Sequence, residues 1–125
     1  LKPDSIEQGN MLPILNMIES SGFKIIALKF KRMSRDEAEK FYSIHFGKPF
    51  FNDLVDYMTS GPVMVQVLEG QDAINLNRKL MGATNPEEAD EGTIRKDFAD
   101  SIERNTVHGS DGPDTAAVEI EYFFG

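Results

Sequence analysis

The run from Pro62 to Glu69 constrains this chain more than any other stretch. Val63, Val65 and Val67 fall on one face of an extended strand, and Met64 and Leu68 fall on the other. A strand apolar on both faces has to be covered on both sides, which places it at the centre of a sheet. Around it the pattern switches between two periods. Asn10 to Ser21 sets Met11, Ile14, Leu15 and Ile18 at helical spacing, with Gly22 as the stop. Lys24 to Arg32 alternates, with Ile26, Leu28 and Phe30 on one face and Lys29 and Lys31 on the other, and this predicts a second strand. Ser34 and Glu37 make a capping box that opens a helix with Ala38, Phe41, Tyr42 and His45 on one face. After Gly47-Lys48-Pro49 a shorter helix buries Phe51, Leu54, Val55 and Met58.

The second half continues the alternation. Asp72 to Met81 returns to helical spacing, and Gly82 to Gly92 is a polar loop. Thr106 to His108 predicts a short strand, and Asp114 to Phe124 a closing helix with Ala117, Ile120 and Phe124 inward. Helices interleaved with strands over 125 residues imply a single domain, residues 1–125, of the α/β (α+β) sandwich class. A loop as long as 82–92 without structure of its own points to function. Lys2-Pro3-Asp4 would ordinarily follow a strand, and none precedes it, which reads as a chain that starts inside its domain.

Composition removes several classes of function. With no cysteine, there is no disulfide, thiolate nucleophile or cysteine zinc site. The net charge of −8 opposes binding to nucleic acid or to an anionic membrane surface. There is no apolar run of the roughly 20 residues that a membrane helix needs, and the first residues do not resemble a signal peptide. The expectation is a soluble, cytoplasmic protein without membrane or nucleic-acid partners. A small anion is another matter, because a local cluster of Lys and Arg inside an acidic protein makes a selective site.

The segment Asn105-Thr106-Val107-His108-Gly109-Ser110-Asp111 carries the chemistry. A histidine at a strand end, followed by glycine, leaves its ring open to a ligand and lets backbone approach closely. Imidazole is substantially neutral at cellular pH, so a ring nitrogen can attack phosphorus without a separate base. Phe50 stands off the stripe formed by Phe51, Leu54, Val55 and Met58, which makes it an exposed aromatic on which a base could stack. His45 has no second ligand at helical spacing and reads as structural.

The pattern N-x-x-H-G-S-D resembles the active-site signature of nucleoside diphosphate kinases. Lys2-Pro3-Asp4, Gly47-Lys48-Pro49-Phe50-Phe51, Ser60-Gly61-Pro62, Gly82-Ala83-Thr84-Asn85-Pro86 and Gly92-Thr93-Ile94-Arg95 resemble blocks of the same family, in the same order. The resemblance implies a ferredoxin-like antiparallel sheet covered by helices, with an added helical hairpin from Ser34 to Thr59 and a long active-site loop from Gly82 to Gly92. The nucleotide would lie between hairpin and loop.

In activity it implies ping-pong transfer of the γ-phosphate of ATP to nucleoside diphosphates through phosphorylated His108, maintaining nucleoside triphosphate pools. Glu119 would orient the imidazole. Lys2, Arg78, Thr84 and Arg95 would hold the phosphates and Asn105 the sugar, with Phe50 stacking on the base and Ile102 as the apolar wall opposite. Tyr42 matches a position near the phosphates, though its place on an apolar face suits packing equally. Magnesium (Mg2+) would arrive with the nucleotide, with Asp111 the carboxylate best placed to help. The family forms homotetramers or homohexamers, and the short chain suits a bacterial enzyme. One departure is Gly112, where the family usually has serine, so capping of the last helix by that residue is in doubt. Two other readings compete: a nucleotide-binding module that has lost transfer, and a hydrolase using His108, Ser110 and Asp111 as a triad. The latter suffers because Ser110 lies in no nucleophile elbow and Asp111 would point away from the other two.

Overall fold

Covering a sheet of alternating side chains requires amphipathic helices, and the computed structural model, which describes all 125 residues, packs seven of them around an antiparallel pair. In chain order these are α1 (Pro3–Glu7), α2 (Met11–Ser20), β1 (Lys24–Lys31), α3 (Arg35–Phe41), α4 (Phe51–Met58), β2 (Val63–Glu69), α5 (Ala73–Met81), α6 (Ile94–Phe98) and α7 (Pro113–Phe124). A single 3₁₀ turn, Ser43–His45, joins α3 to α4. This is the α/β sandwich implied by the pattern, with the α3–α4 hairpin and a long irregular segment after α5. No helix is long and apolar enough to cross a membrane.

Local sequence explains the hairpin. The Ser34 hydroxyl accepts from the Glu37 N–H at 3.2 Å and the Glu37 carboxylate accepts from the Ser34 N–H at 3.0 Å, closing the capping box. Ala38, Tyr42, Phe51, Val55 and Met58 then pack with Met33 and Val63 as one apolar cluster. Ile14, Ile18, Phe23, Met81, Ile94 and Val107 form a second. The functional cleft lies where the two meet, since Tyr42 belongs to the first and Val107 to the second.

Several expectations are corrected. Thr106 to His108 is not a strand; Thr106 takes φ 76, a left-handed value that no extended strand contains. The strand β2 is paired with β1 along one edge only, and on its other edge the Met64 N–H donates to the Leu1 carbonyl at 3.1 Å. The apolar face of β1 is the outer one, with Ile26, Leu28 and Phe30 about half exposed. Its lysine face is the one that the helices cover: Lys29 Nζ donates to the Phe123 carbonyl at 3.0 Å, and Lys31 pairs with Glu37 at 2.6 Å. Long lysine stems can lie against apolar surface while their amines reach polar partners at its edge. A register shift between Ile25 and Ala27 marks a bulge in this strand.

In α7 only one of the three residues expected inward, Phe124, is half-buried. Ala117 and Ile120 are exposed, while Ala116, Glu119 and Phe123 are half-buried. The reason is polar: Glu119 is drawn toward His108 and Ser110, and that sets the phase of the helix. Gly112 precedes α7 with no side chain to cap it; the Thr115 hydroxyl bonds its backbone instead, accepting from the Gly112 N–H at 2.9 Å. Proline at the first helical position completes that start.

Candidate active site

A cleft of about 1580 Å³ opens between the α3–α4 hairpin and the segment that follows α5, and every residue that the kinase resemblance assigns to the site lines it. Its floor is the segment Asn105–His108. Here Val107 N–H donates to the Asn105 carbonyl at 2.8 Å across Thr106, which makes a γ-turn with Thr106 at its centre. A β-branched residue at positive φ costs on the order of 1–3 kcal/mol and persists only where neighbours hold it.

Arg95 is the main holder. It is 8% exposed, and its guanidinium donates to the carbonyls of Gly82 (2.9 Å), Asn105 (3.2 Å) and Val107 (2.8 Å). The helix that carries it, α6, begins at Thr93, whose hydroxyl accepts from the Lys96 N–H at 3.2 Å. Gly82 has φ 84, and a Cβ there would lie 2.6 Å from the Thr93 hydroxyl, so only glycine lets the loop pass this close. These bonds use three of the five guanidinium N–H groups, and the side chain still lines the cleft.

Lys2 is nearly as buried, and its Nζ donates to Asn105 Oδ1 at 2.8 Å. Burial, and after it the nearby Arg95 charge, lowers its pKa to about 8, with Asp4 opposing. Lys2 and Asn105 are thus joined before any ligand arrives.

His108 stands at the mouth of the floor. Its Nε2 lies 3.2 and 3.1 Å from the two Glu119 oxygens, and Phe41 packs edge-on against the ring with centroids 5.3 Å apart. Ser110 Oγ donates to the same carboxylate at 2.5 Å. Burial works to raise the Glu119 pKa, but the bonds from His108 and Ser110 outweigh it and hold the carboxylate below its ordinary range. Nε2 faces this carboxylate, and Nδ1 is the ring nitrogen with no hydrogen bond to the protein. Gly109 lies close against α5, where a Cβ would come within 2.6 Å of the Met81 side-chain tip and 2.7 Å of that of Asn77.

Tyr42 is buried, and its hydroxyl has no partner. Burial raises its pKa, with the Glu119 charge adding to the effect. It packs in the apolar cluster, and its ring lies 6.4 Å from that of His108, centroid to centroid. His45 stacks on Tyr42 and lies 5.2 Å from the Phe50 ring.

The rim differs from the floor. Phe50 is 47% exposed and Ile102 52% exposed, and the Lys48 amine sits 5.9 Å over the Phe50 ring. Thr84 is exposed, and Arg78 makes one loose contact, 3.6 Å to Asp111. Phe41 and the bond from Ser110 to Glu119 were missed from the sequence. The signal for Ser110 was present in the signature itself, but Phe41 looked like any core residue.

An imidazole held by a carboxylate, an apolar bracket for a base, and cations around one cleft define a phosphotransferase site built for a nucleotide. Comparison with known proteins agrees. The family model described as "Nucleoside diphosphate kinase" matches residues 1–125. A nucleoside diphosphate kinase of Francisella philomiragia is 60% identical over 124 residues, covering 99% of this chain and 89% of its own. One from Thiobacillus denitrificans is 58% identical, with coverage of 99% and 87%. Among solved structures, the Aquifex aeolicus nucleoside diphosphate kinase superposes with a TM-score of 0.97 at 41% identity, covering 100% of this chain and 91% of that one. The Halobacterium salinarum enzyme in complex with CDP gives 0.94 at 41% identity, covering 99% and 83%. The chain belongs to the nucleoside diphosphate kinase family, and its activity is that of a nucleoside-diphosphate phosphotransferase.

Proposed function

We propose that the residues of this cleft run the transfer as two half-reactions through His108. In the first, the Nδ1 lone pair attacks the γ-phosphorus of ATP; the N–P bond forms as the bond to the bridging oxygen breaks, and ADP leaves with that electron pair. The proton on Nε2 stays in place, shared with Glu119, which steadies the charged ring. In the second, a terminal oxygen of an incoming nucleoside diphosphate attacks the phosphorus and the imidazole leaves. The observation that supports this reading is the Nε2–Glu119 contact at 3.1 Å, opposite which Nδ1 has no protein partner.

Lys2, Arg78, Thr84 and Arg95 hold the phosphates, with the unpaired Tyr42 hydroxyl beside them, and Asn105 meets the sugar. The base stacks on Phe50, with Ile102 as the apolar wall. Stacking tolerates any base, so purine and pyrimidine nucleotides are accepted alike. CDP in the Halobacterium salinarum structure supports a cytosine nucleotide as one occupant of such a cleft.

Asp111 is an exposed carboxylate and suits a hard cation, but no group of three acidic or histidine side chains surrounds it. Asp111 is the side chain that would hold Mg2+ brought in with the nucleotide. When bound, it neutralises phosphate charge. We further propose that residues 1–125 make one domain and that the enzyme is cytoplasmic. It assembles as a homotetramer or homohexamer and maintains nucleoside triphosphate pools.

The test is kinetic. Initial rates against ATP at several GDP concentrations should give parallel double-reciprocal lines, and His108→Ala should abolish transfer while leaving ADP affinity within about tenfold. Transfer retained in that variant refutes the mechanism.

A further inference from the structure

A carboxylate lies beneath the cleft that the transfer itself does not use. Asp4 is 1% exposed, and burying an acid is unfavourable unless bonds repay it. It accepts from two hydroxyls, Tyr57 from α4 at Oδ1 and Thr106 from the γ-turn at Oδ2, the latter at 3.3 Å. Tyr57 is fixed in turn by the Arg104 guanidinium, 5.7 Å from its ring centre. Three separate pieces of chain therefore meet on one carboxyl group: α1, α4 and the turn two residues before His108.

What these bonds restrain becomes clear from the turn. Its carbonyls are held by others: Asn105 and Val107 by Arg95, and Thr106 by the Lys2 N–H at 2.8 Å. None of those contacts touches the Thr106 side chain, which is 0% exposed and is hydrogen-bonded by Asp4 alone. A threonine at φ 76 would relax toward ordinary backbone unless its side chain is gripped as well. Relaxation there rotates the chain leading into His108 and carries the ring off Glu119.

We propose that Asp4 is a positioning residue for the reaction: through the Thr106 hydroxyl it keeps the γ-turn wound and so keeps His108 aimed. This rests on His108 being the group that takes the phosphoryl. The discriminating variants are Thr106→Val, which keeps shape and branching but removes the hydroxyl, and Thr106→Ser, which keeps the hydroxyl and loses packing. With [γ-32P]ATP, the rate of His108 labelling should fall about tenfold or more in Thr106→Val and stay within about threefold in Thr106→Ser, with ADP binding little changed in both. Asp4→Leu, which removes the acceptors of both Thr106 and Tyr57, should lower labelling at least as far as Thr106→Val, and adding Thr106→Val to it should cost little more, because the bond to Thr106 is already gone.

If packing alone mattered, the order would reverse, with valine as good as threonine and serine worse; that result overturns the proposal. Labelling of the wild-type chain in the same assay tests the phosphohistidine reading separately. Should the wild type not label, that reading fails, and the His108 ring 15N shifts still decide on Asp4. They should move in Thr106→Val and Asp4→Leu but not in Thr106→Ser, and unchanged shifts in the first two refute the positioning role.

Discussion

At the floor of the cleft Arg95 is buried and gives its donors to three backbone carbonyls, whereas at the rim Arg78 stands in solvent with a single 3.6 Å contact to Asp111. The same side chain is used in opposite ways. On the floor, the protein fixes a strained turn and the groups around His108 before the nucleotide arrives, so little ordering remains to be done at the moment of reaction. At the rim, Phe50, Ile102, Thr84 and Arg78 are left exposed, and the nucleotide itself completes their contacts. Floor residues should therefore couple folding to catalysis, and rim residues should govern binding alone.

The strongest test of that division is Arg95→Ala. It would leave three carbonyls of the floor without their donor, and we expect a loss of stability of roughly 3 kcal/mol or more by chemical denaturation, together with loss of transfer. If the variant keeps its stability and loses only phosphate affinity, Arg95 belongs with the rim. Next in size is Phe50→Ala. With stability unchanged, affinity should fall by about 1–3 kcal/mol, similarly for ADP, GDP and CDP. A loss confined to one base would contradict stacking, and a large drop in melting temperature would contradict its place on the rim.

The smallest effect is a matter of protons. Because the Lys2 pKa is lowered from 10.5 to about 8, the fold holds a charged, buried amine at a cost below about pH 8, and that cost is relieved as pH rises toward 10.5, where the unfolded lysine also loses its proton. Stability contributed by this group should thus rise with pH across that window. A bound phosphate favours the charged form again, so ATP binding near pH 8.5 should take up a fraction of a proton, measurable by calorimetry in buffers of different ionisation enthalpy. Absence of uptake in the wild type, or the same uptake in Lys2→Met, would show that Lys2 does not meet the phosphates.

The two regions also differ in how well the sequence foretold them. The hairpin was legible because its devices are local: the Ser34–Glu37 box, and the core stripe that leaves Phe50 aside. The γ-turn was not. Asn105 to His108 looks extended by propensity, and only partners far away in the chain, Lys2 and Asp4, with Arg95, impose φ 76 on Thr106. The phase of α7 escaped for a similar reason, since a polar contact from Glu119 overrode the apolar period. Helix α6, Ile94–Phe98, is too short to show a period, though Thr93 at its cap was a visible sign.

Whether His108 itself carries the phosphoryl group is the central claim, and one labelling experiment addresses it directly. The protein is mixed with [γ-32P]ATP and Mg2+, freed of nucleotide, mapped for the labelled residue, and then given GDP. The account predicts acid-labile label on His108 that moves to GDP. Intact nucleotide binding with no label, or label on any other residue, would contradict it.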